Sequence, residues 1–493
     1  MDQQQPPVGA ANQQFVQAYN IAGINLFINP MLHGYLNDAL QFDGNLIRSV
    51  NLDSQPLGAK QKRPGYITLL NNADGSQVNS IFSWTQDSGT QTFLYRFSGT
   101  SLYYYNVTAG TTGTWTPTNN TANFGGTYMG HAILDNVLII GDGVGSTCHT
   151  TDGINFTNTV LAPIGQFFTQ FQNRIYLGGT TDTLFYSTSG DATNWNIAGT
   201  SDSSSFTVPD SGQIAQLFVL SNTLNISKNS GKLFFWDGYN LYDSSTDLGP
   251  SSPYSYASIE GVGFWLHRLG IMSSQGQTPS VISNPIEKFI FNPSNTGIAG
   301  TSFGTAPGVV NKWDYFVAVG SVQDDFTAQP LNNAIIKYNY QKNEFLNYQF
   351  NDAPTSFGTY LDNSFNRQLV FGAANGQVFQ FGGTALTDNG QPIASVAELV
   401  FTMNQPHIDK DWRWFWAFCN PGCEAQFQVA LSDTFTKIRT WIDIGQAIAG
   451  VVKFRFPAGS RSKLLFVRIK DNSRTSKYVF YGASLSAVFV DPG

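Results

Sequence analysis

The sequence predicts an all-β protein: a β-propeller of about seven blades with a β-sandwich-like platform built from the two ends of the chain. Three observations predict it. Of the 33 acidic residues, 28 are Asp and five are Glu; Asp favours turns and caps and Glu favours helix interiors, so the imbalance points away from helices. Short apolar runs such as Phe93-Leu94-Tyr95, Val137-Leu138-Ile139-Ile140 and Arg174-Ile175-Tyr176-Leu177 alternate with Gly, Asn, Ser and Thr, the pattern of short strands bounded by turns. Finally, a block of two apolar strands and a third strand rich in Phe, Tyr or Leu recurs along the chain.

Residues 1–15, rich in Gln, Pro, Ala and Asn, read as a disordered arm. About Asn12 to Tyr19 there is a stretch with a helical look, too polar to bury much. Residues 16–65 form the N-terminal segment of the platform and end in Lys60-Gln61-Lys62-Arg63-Pro64-Gly65. The strand after this Pro-Gly turn, Tyr66 to Leu70, is expected to close the ring against Gln377-Val378-Phe379-Gln380-Phe381.

The propeller spans residues 66–394. Its repeats begin with Ser80-Ile81-Phe82-Ser83-Trp84, Gly130-His131-Ala132-Ile133-Leu134, Gln166-Phe167-Phe168-Thr169-Gln170 and Ile214-Ala215-Gln216-Leu217-Phe218. Weaker copies begin near Gly263, Trp313 and Thr355. Seven copies give about forty-six residues each, the size of a four-stranded blade. Thr150-Thr151-Asp152-Gly153-Ile154-Asn155-Phe156 and Ser189-Gly190-Asp191-Ala192-Thr193-Asn194-Trp195 look like a degenerate Asp-box, a turn whose Asp accepts backbone N–H bonds above a packed aromatic.

Residues 395–493 form the C-terminal sandwich or platform. They carry twelve Lys+Arg and eight Asp+Glu, a net of +4, whereas the rest of the chain carries fourteen and twenty-five, a net of -11. In Asp411-Trp412-Arg413-Trp414-Phe415-Trp416 the three Trp alternate, so on a regular strand all three project from one face. Lys453 and Arg455 share one face of their strand, as do Arg468 and Lys470. With Arg461 and Lys463 between them, the segment reads as a hairpin with a basic side and an apolar side. These six residues are the candidate contacts for a partner or DNA.

Composition limits the other classes. With 41% hydrophobic, 14% aromatic and 12% charged residues in 493, the chain is a folded body with sizeable cores rather than a disordered one. No apolar run approaches the ~18 residues of a membrane span, and the N-terminus has no secretory leader pattern. Cys148, Cys419 and Cys423 are too few for a disulfide framework and read as packed thiols. A net charge of -7 argues against a general nucleic-acid coat.

No cofactor, metal or catalytic site is expected. Gly141-Asp142-Gly143-Val144-Gly145 lacks the Lys-Ser/Thr of a phosphate loop. His33, His131, His149, His267 and His407 have no ligand spacing, and Cys419-Asn420-Pro421-Gly422-Cys423 has no second pair. No Gly-x-Ser-x-Gly elbow occurs. The enzyme alternative is glycan binding or hydrolysis in the propeller centre, using Asp324-Asp325, Glu260 and Glu287 with Arg174, Arg268 and Arg367.

Several short stretches resemble the tail nozzle or hub (tail tubular) proteins of short-tailed bacteriophages. They are Phe42-Asp43-Gly44, Lys62-Arg63-Pro64-Gly65, Asn173-Arg174-Ile175-Tyr176-Leu177-Gly178-Gly179, Leu184-Phe185-Tyr186-Ser187, Gly190-Asp191-Ala192-Thr193-Asn194-Trp195, Ser204 to Gly212, and Lys477 to Leu485. The resemblance implies a virion tail protein made in the host cytoplasm, a homo-oligomeric ring that is usually a hexamer. That ring continues the DNA channel below the head-to-tail adaptor, retains the packaged genome until DNA ejection, and anchors tail fibres or spikes. Residues 16–65 and 395–493 would jointly meet the adaptor.

Overall fold

The computed structural model describes residues 14–19, 46–54 and 59–490, apart from 88, 90, 111–112, 200, 245–246, 277, 287–289, 291–297, 299, 324–329, 404 and 435–438. Residues 1–13 of the arm expected over 1–15, the Phe42-Asp43-Gly44 motif, His33, Glu287, Asp324 and Asp325 lie outside them, whereas Gln14 and Phe15, the end of that arm, belong to a strand.

Seven sheets follow one another between Tyr66 and Pro392, antiparallel but for the short parallel pairings of Asn119 and Asn120 with Asn155 and Phe156 and of Asp388 with Tyr66. Blade one is Val78–Thr85, Thr92–Ser98, Ser101–Asn106 and Thr116–Pro117. Blade two begins with Gly130–Leu134, blade three with Phe167–Phe171 and blade four with Ile214–Leu220. Blade five runs from Ala257–Ile259 to Ser280–Val281, and blade six from Gly308–Asn311 to Glu344–Gln349. In blades five and six the innermost strands precede the points where the repeat becomes visible in the sequence. Ala257–Ile259 and Gly308–Asn311 are only three and four residues long, so they carry too little apolar pattern to be seen.

Blade seven is closed by the strand the sequence assigns to it. Tyr66–Thr68 pairs antiparallel with Val378–Phe381, Phe379 opposite Thr68 and Phe381 opposite Tyr66. Tyr66 is fully buried, its ring 5.1, 4.9 and 5.1 Å from those of Phe350, Phe371 and Phe379. A residue from before the ring thus fills the core of its last two blades.

The Asp-box turns work as their pattern implies. Asp152 accepts N–H bonds from Ile154 and Asn155, both 2.8 Å, above the buried Phe156. Asp191 accepts the Thr193 N–H at 2.8 Å above the buried Trp195.

Blades one and two meet through Phe82 and His131, stacked at 4.4 Å and 16°. Burial alone pushes the His131 imidazole down to about 4. An unfolded His takes its proton near pH ~6.5, so between these values the unfolded chain binds more protons and folding weakens as the pH falls. Urea unfolding at pH 7 and pH 5 should show a smaller acid loss in His131→Phe than in the wild-type chain; equal losses would refute the assignment.

The two chain ends build two further sheets. In the seven-stranded one, Val479–Val490 lies beside Asp409–Cys419, with Val451–Arg455 at the edge and Leu52–Ser54 and Lys60–Lys62 at the other side. Gln14–Tyr19 joins it, Gln14 opposite Val488 and Tyr19 opposite Ala483, so the stretch with a helical look is a strand. Its conformation is set by a partner about 470 positions further along the chain, which overrides local preference. The five-stranded sheet is ordered Leu46–Val50, Ser395–Phe401, Leu464–Asp471, Gln426–Ser432 and Ile442–Gln446. Leu399, Phe427 and Val467 of this sheet share one hydrophobic core with Trp412, Phe415 and Leu485 of the other. That core runs on into Phe264 of blade five and Tyr315 and Phe345 of blade six.

Candidate functional site

The Lys62-Arg63-Pro64-Gly65 motif joins the sandwich to the ring. Lys62 Nζ lies 2.6 Å from Asp471 in the five-stranded sheet, both side chains buried. Arg63 donates to both oxygens of Asp388, at 2.8 and 2.6 Å, to the Asn51 side chain at 2.7 Å and to the Gln349 carbonyl at 2.7 Å. Its guanidinium lies 4.5 Å from the Phe350 ring centre. Gly65 is needed because a Cβ there would sit 1.9 Å from the Thr387 carbonyl oxygen. Just upstream, Lys60 pairs with Glu344, and Lys337 of blade six reaches Asp53 at 2.5 Å and Asp314 at 3.0 Å. Charges this deep survive only when paired and hydrogen-bonded, and each cation here has its carboxylate.

The propeller axis is filled on one side. Tyr128 leads into blade two and Tyr254 into blade five, on opposite sides of a seven-membered ring, yet their rings lie 4.3 Å apart. Phe167 of blade three stands 6.3 Å from Tyr128 and 6.5 Å from Tyr254. Gln166 donates to the Tyr128 carbonyl at 3.4 Å, and Gln216 to the Pro253 carbonyl at 2.6 Å. Burial pushes the Tyr128 hydroxyl up to about 12. Side chains occupy the place where a central ligand would enter from this side.

The six basic candidates do not form one hairpin. Val451–Arg455 pairs with Asp409–Cys419 in the seven-stranded sheet, whereas Leu464–Asp471 lies between Ser395–Phe401 and Gln426–Ser432 in the five-stranded sheet. The intervening chain crosses the sandwich, so Lys453 and Arg455 lie on one outer face and Arg468 and Lys470 on the opposite one. Arg461 is paired with Asp409 at 3.0 Å, and the Lys463 amide donates to Asp433 at 3.2 Å. Arg468 joins Arg48 and Arg439 around the buried Glu398, at 3.8, 3.2 and 3.1 Å. It also covers the Trp441 ring at 4.0 Å. Lys470 is half-buried beside this cluster, and burial followed by the Arg468 charge pushes its ammonium down from the ordinary Lys range. Arg468 and Lys470 therefore belong to an internal charge network. Lys453 and Arg455 are exposed and lie 4.8 and 5.6 Å from the Trp414 ring centre.

The three Trp do not share a face either. Trp412 is opposite Ala487 but Trp414 is opposite Ser486, so Arg413 is an extra residue in a β-bulge. Trp412 turns into the core, fully buried, with Nε1 on Ser462 Oγ at 2.9 Å. Trp414 and Trp416 turn outward, half-buried and stacked at 5.8 Å and 20°.

The remaining candidates stay apart. Arg174 donates to Asp202 and to the Ser187 carbonyl of its own blade, and Arg367 donates to Thr359 of blade seven. Arg268 and Glu260 are exposed in turns of blade five, Glu260 at a φ of 48°. The Gly-rich turn at Asp142 closes on itself: this buried carboxylate accepts the amides of Gly125 and Gly126 at 2.6 Å, Val144 at 3.0 Å and Gly145 at 2.8 Å. A Cβ at Gly126 would lie 2.2 Å from the Asp142 carbonyl oxygen. Cys148, Cys419 and Cys423 are buried thiols. Among the described residues no group of three or more His, Cys, Asp or Glu is placed to hold a metal ion, and no helix is long and apolar enough to cross a membrane.

Fold and site together define a β-propeller joined to a β-sandwich made from both chain ends. No protein-family model matches the sequence, and no curated protein matches it. Among solved structures, YCF48 from Cyanidioschyzon merolae is similar at 13% identity over 64% of this chain and 98% of its own, with a TM-score of 0.39. BamB from Moraxella catarrhalis is similar at 12% identity over 69% of this chain and 97% of its own, with a TM-score of 0.37. The WD40 β-propeller domain of Doa1 gives 10% identity over 65% and 97%, with a TM-score of 0.38.

Proposed function

We propose that this chain is a structural component of a bacteriophage tail, a nozzle or hub subunit. Copies form a ring below the head-to-tail adaptor, surround the path of the packaged DNA, retain the genome and anchor fibres or spikes. The observation that carries the reading is the seam of buried ion pairs made by Asp53, Lys60 and Arg63, which fixes the sandwich to the outer side of blade six and to Asp388 beside the closing strand. A body of that kind suits load-bearing assembly, and the Lys62–Gly65 motif at its centre is one of the stretches that resemble the nozzle family. The side chains filling one end of the propeller axis favour a path for DNA between copies over one through a propeller. No catalytic role is part of this reading.

Electron microscopy of the purified chain should reveal closed rings, and antibody against the chain should label the tail of the virus that encodes it. Particles at all concentrations no larger than one copy, together with unlabelled tails, would end the proposal.

A further inference from the structure

The charge of the chain is unevenly distributed over its surface. Residues 130–250, which hold blades two to four, contain ten Asp and no Glu against Arg174, Lys228 and Lys232. Their net of -7 equals that of the whole chain, so everything else sums to zero. Asp142 is buried, but Asp210, Asp243 and Asp247 are exposed. The outermost strand of blade four, Leu241–Asp243, ends its sheet, and around it Tyr239 is 86% exposed and Tyr242 48%.

The sandwich carries a counterpart. Val451–Arg455 ends the seven-stranded sheet. On its outer face Lys453 and Arg455 have no carboxylate within ion-pair distance among the described residues. Around them Phe418 is 42% exposed, Ile448 83% and Tyr481 52%. Apolar and aromatic groups exposed beside charged ones mark interaction surfaces. Two such surfaces belong to one molecule: the sandwich face at Lys453 and Arg455, and a blade-four edge that stays acidic with Asp210, Asp237 and Asp247 although its Asp243 is paired with Lys232 at 3.0 Å.

We infer that the acidic outer edge of blade four in one copy docks on the basic, aromatic outer face of the seven-stranded sheet in a second copy. The contact joins two different patches, so it is head-to-tail, the kind that generates rings when its rotation closes. It rests on the ring reading above and specifies which faces meet. Lys453 and Arg455 meet the carboxylate of Asp247 and the open oxygen of Asp243, whose other oxygen holds Lys232, while Tyr239 and Tyr242 pack on Phe418 and Val451. Attraction between such exposed charges weakens as salt is raised.

The test uses two charge-reversed full-length chains, Lys453→Glu/Arg455→Glu and Asp243→Lys/Asp247→Lys, with folding checked by circular dichroism and size by sedimentation. Each variant alone should assemble about tenfold more weakly or worse. Mixing them should restore assembly, because each reversed patch then meets its reversed complement and each natural patch meets its own. Two variants that assemble like the wild-type chain would overturn the inference and leave the ring reading standing. A wild-type chain that stays monomeric from low to high salt would remove both. Variants that assemble normally, while reversal of Lys453 and Arg455 abolishes binding of a labelled DNA duplex, would assign this face to DNA instead.

Discussion

Replacing Asp388 with alanine should lower the free energy of unfolding by about 3–5 kcal/mol, the cost of leaving a buried charge without its partner. Arg63 would keep the Asn51 and Gln349 contacts but lose its one carboxylate among the described residues, in a pair that is fully enclosed, with side-chain exposures of 0% and 1%. The loss would spread, because Asp388 pairs in register with Tyr66 and accepts from Asn351. Closing strand, blade six and sandwich are therefore held at one point. Burial pushes the Asp388 carboxyl above the ordinary Asp range despite Arg63, so its ionised form depends on that guanidinium. The double change Arg63→Met/Asp388→Leu, which removes both charges and keeps bulk, should recover most of the loss. Urea unfolding measures both. A deficit below about 1 kcal/mol for Asp388→Ala, the range of surface pairs, would mean the seam is not a weld.

The ring could be read from the sequence because a blade is local: its strands are neighbours in the chain, and repeats such as Phe167-Phe168-Thr169 and Arg174-Ile175-Tyr176 write the pattern again and again. The closing strand was legible for a related reason, since a Pro-Gly turn before an apolar triplet has few other uses. The seam was not legible. Lys60 and Glu344 are 284 positions apart and Arg63 and Asp388 are 325, so no spacing rule joins them. Nothing near Tyr128 or Tyr254 announces that they meet across the ring. In the sandwich, period-two reasoning placed Lys453 and Arg455 on one face of their strand, and Arg468 and Lys470 on one face of theirs. It failed on strand pairing, because Arg461–Ser462 pairs with Lys410 and Asp411 and carries the chain across to the other sheet.

Trp412→Ala should cost about 3–5 kcal/mol, whereas Trp414→Ala, two residues on, should cost about 1 kcal/mol or less. In the sequence the two are equivalent members of an alternating series. The difference is made by one backbone residue: on a strand a single inserted position moves every later side chain to the opposite face, and Arg413 is that insertion. Upstream of it, Trp412 fills the space between the two sheets and satisfies its indole N–H on Ser462, so alanine there leaves a cavity and takes away the donor to the Ser462 hydroxyl, which keeps only its own bond to the Leu464 carbonyl. Downstream, Trp414 loses only its stacking on Trp416 and the cations above it, contacts already open to water. Deleting Arg413 tests the same point from the backbone: with the bulge removed, Trp412 and Trp414 become neighbours on a regular strand, opposite Ala487 and Ser486 in turn, and each keeps its face. That variant should lose clearly less stability than Trp412→Ala, and its tryptophan fluorescence should stay where the wild-type chain has it, since the buried indole remains buried. If Trp412→Ala and Trp414→Ala destabilise equally, the strand is regular and the division between its buried and exposed tryptophans is wrong.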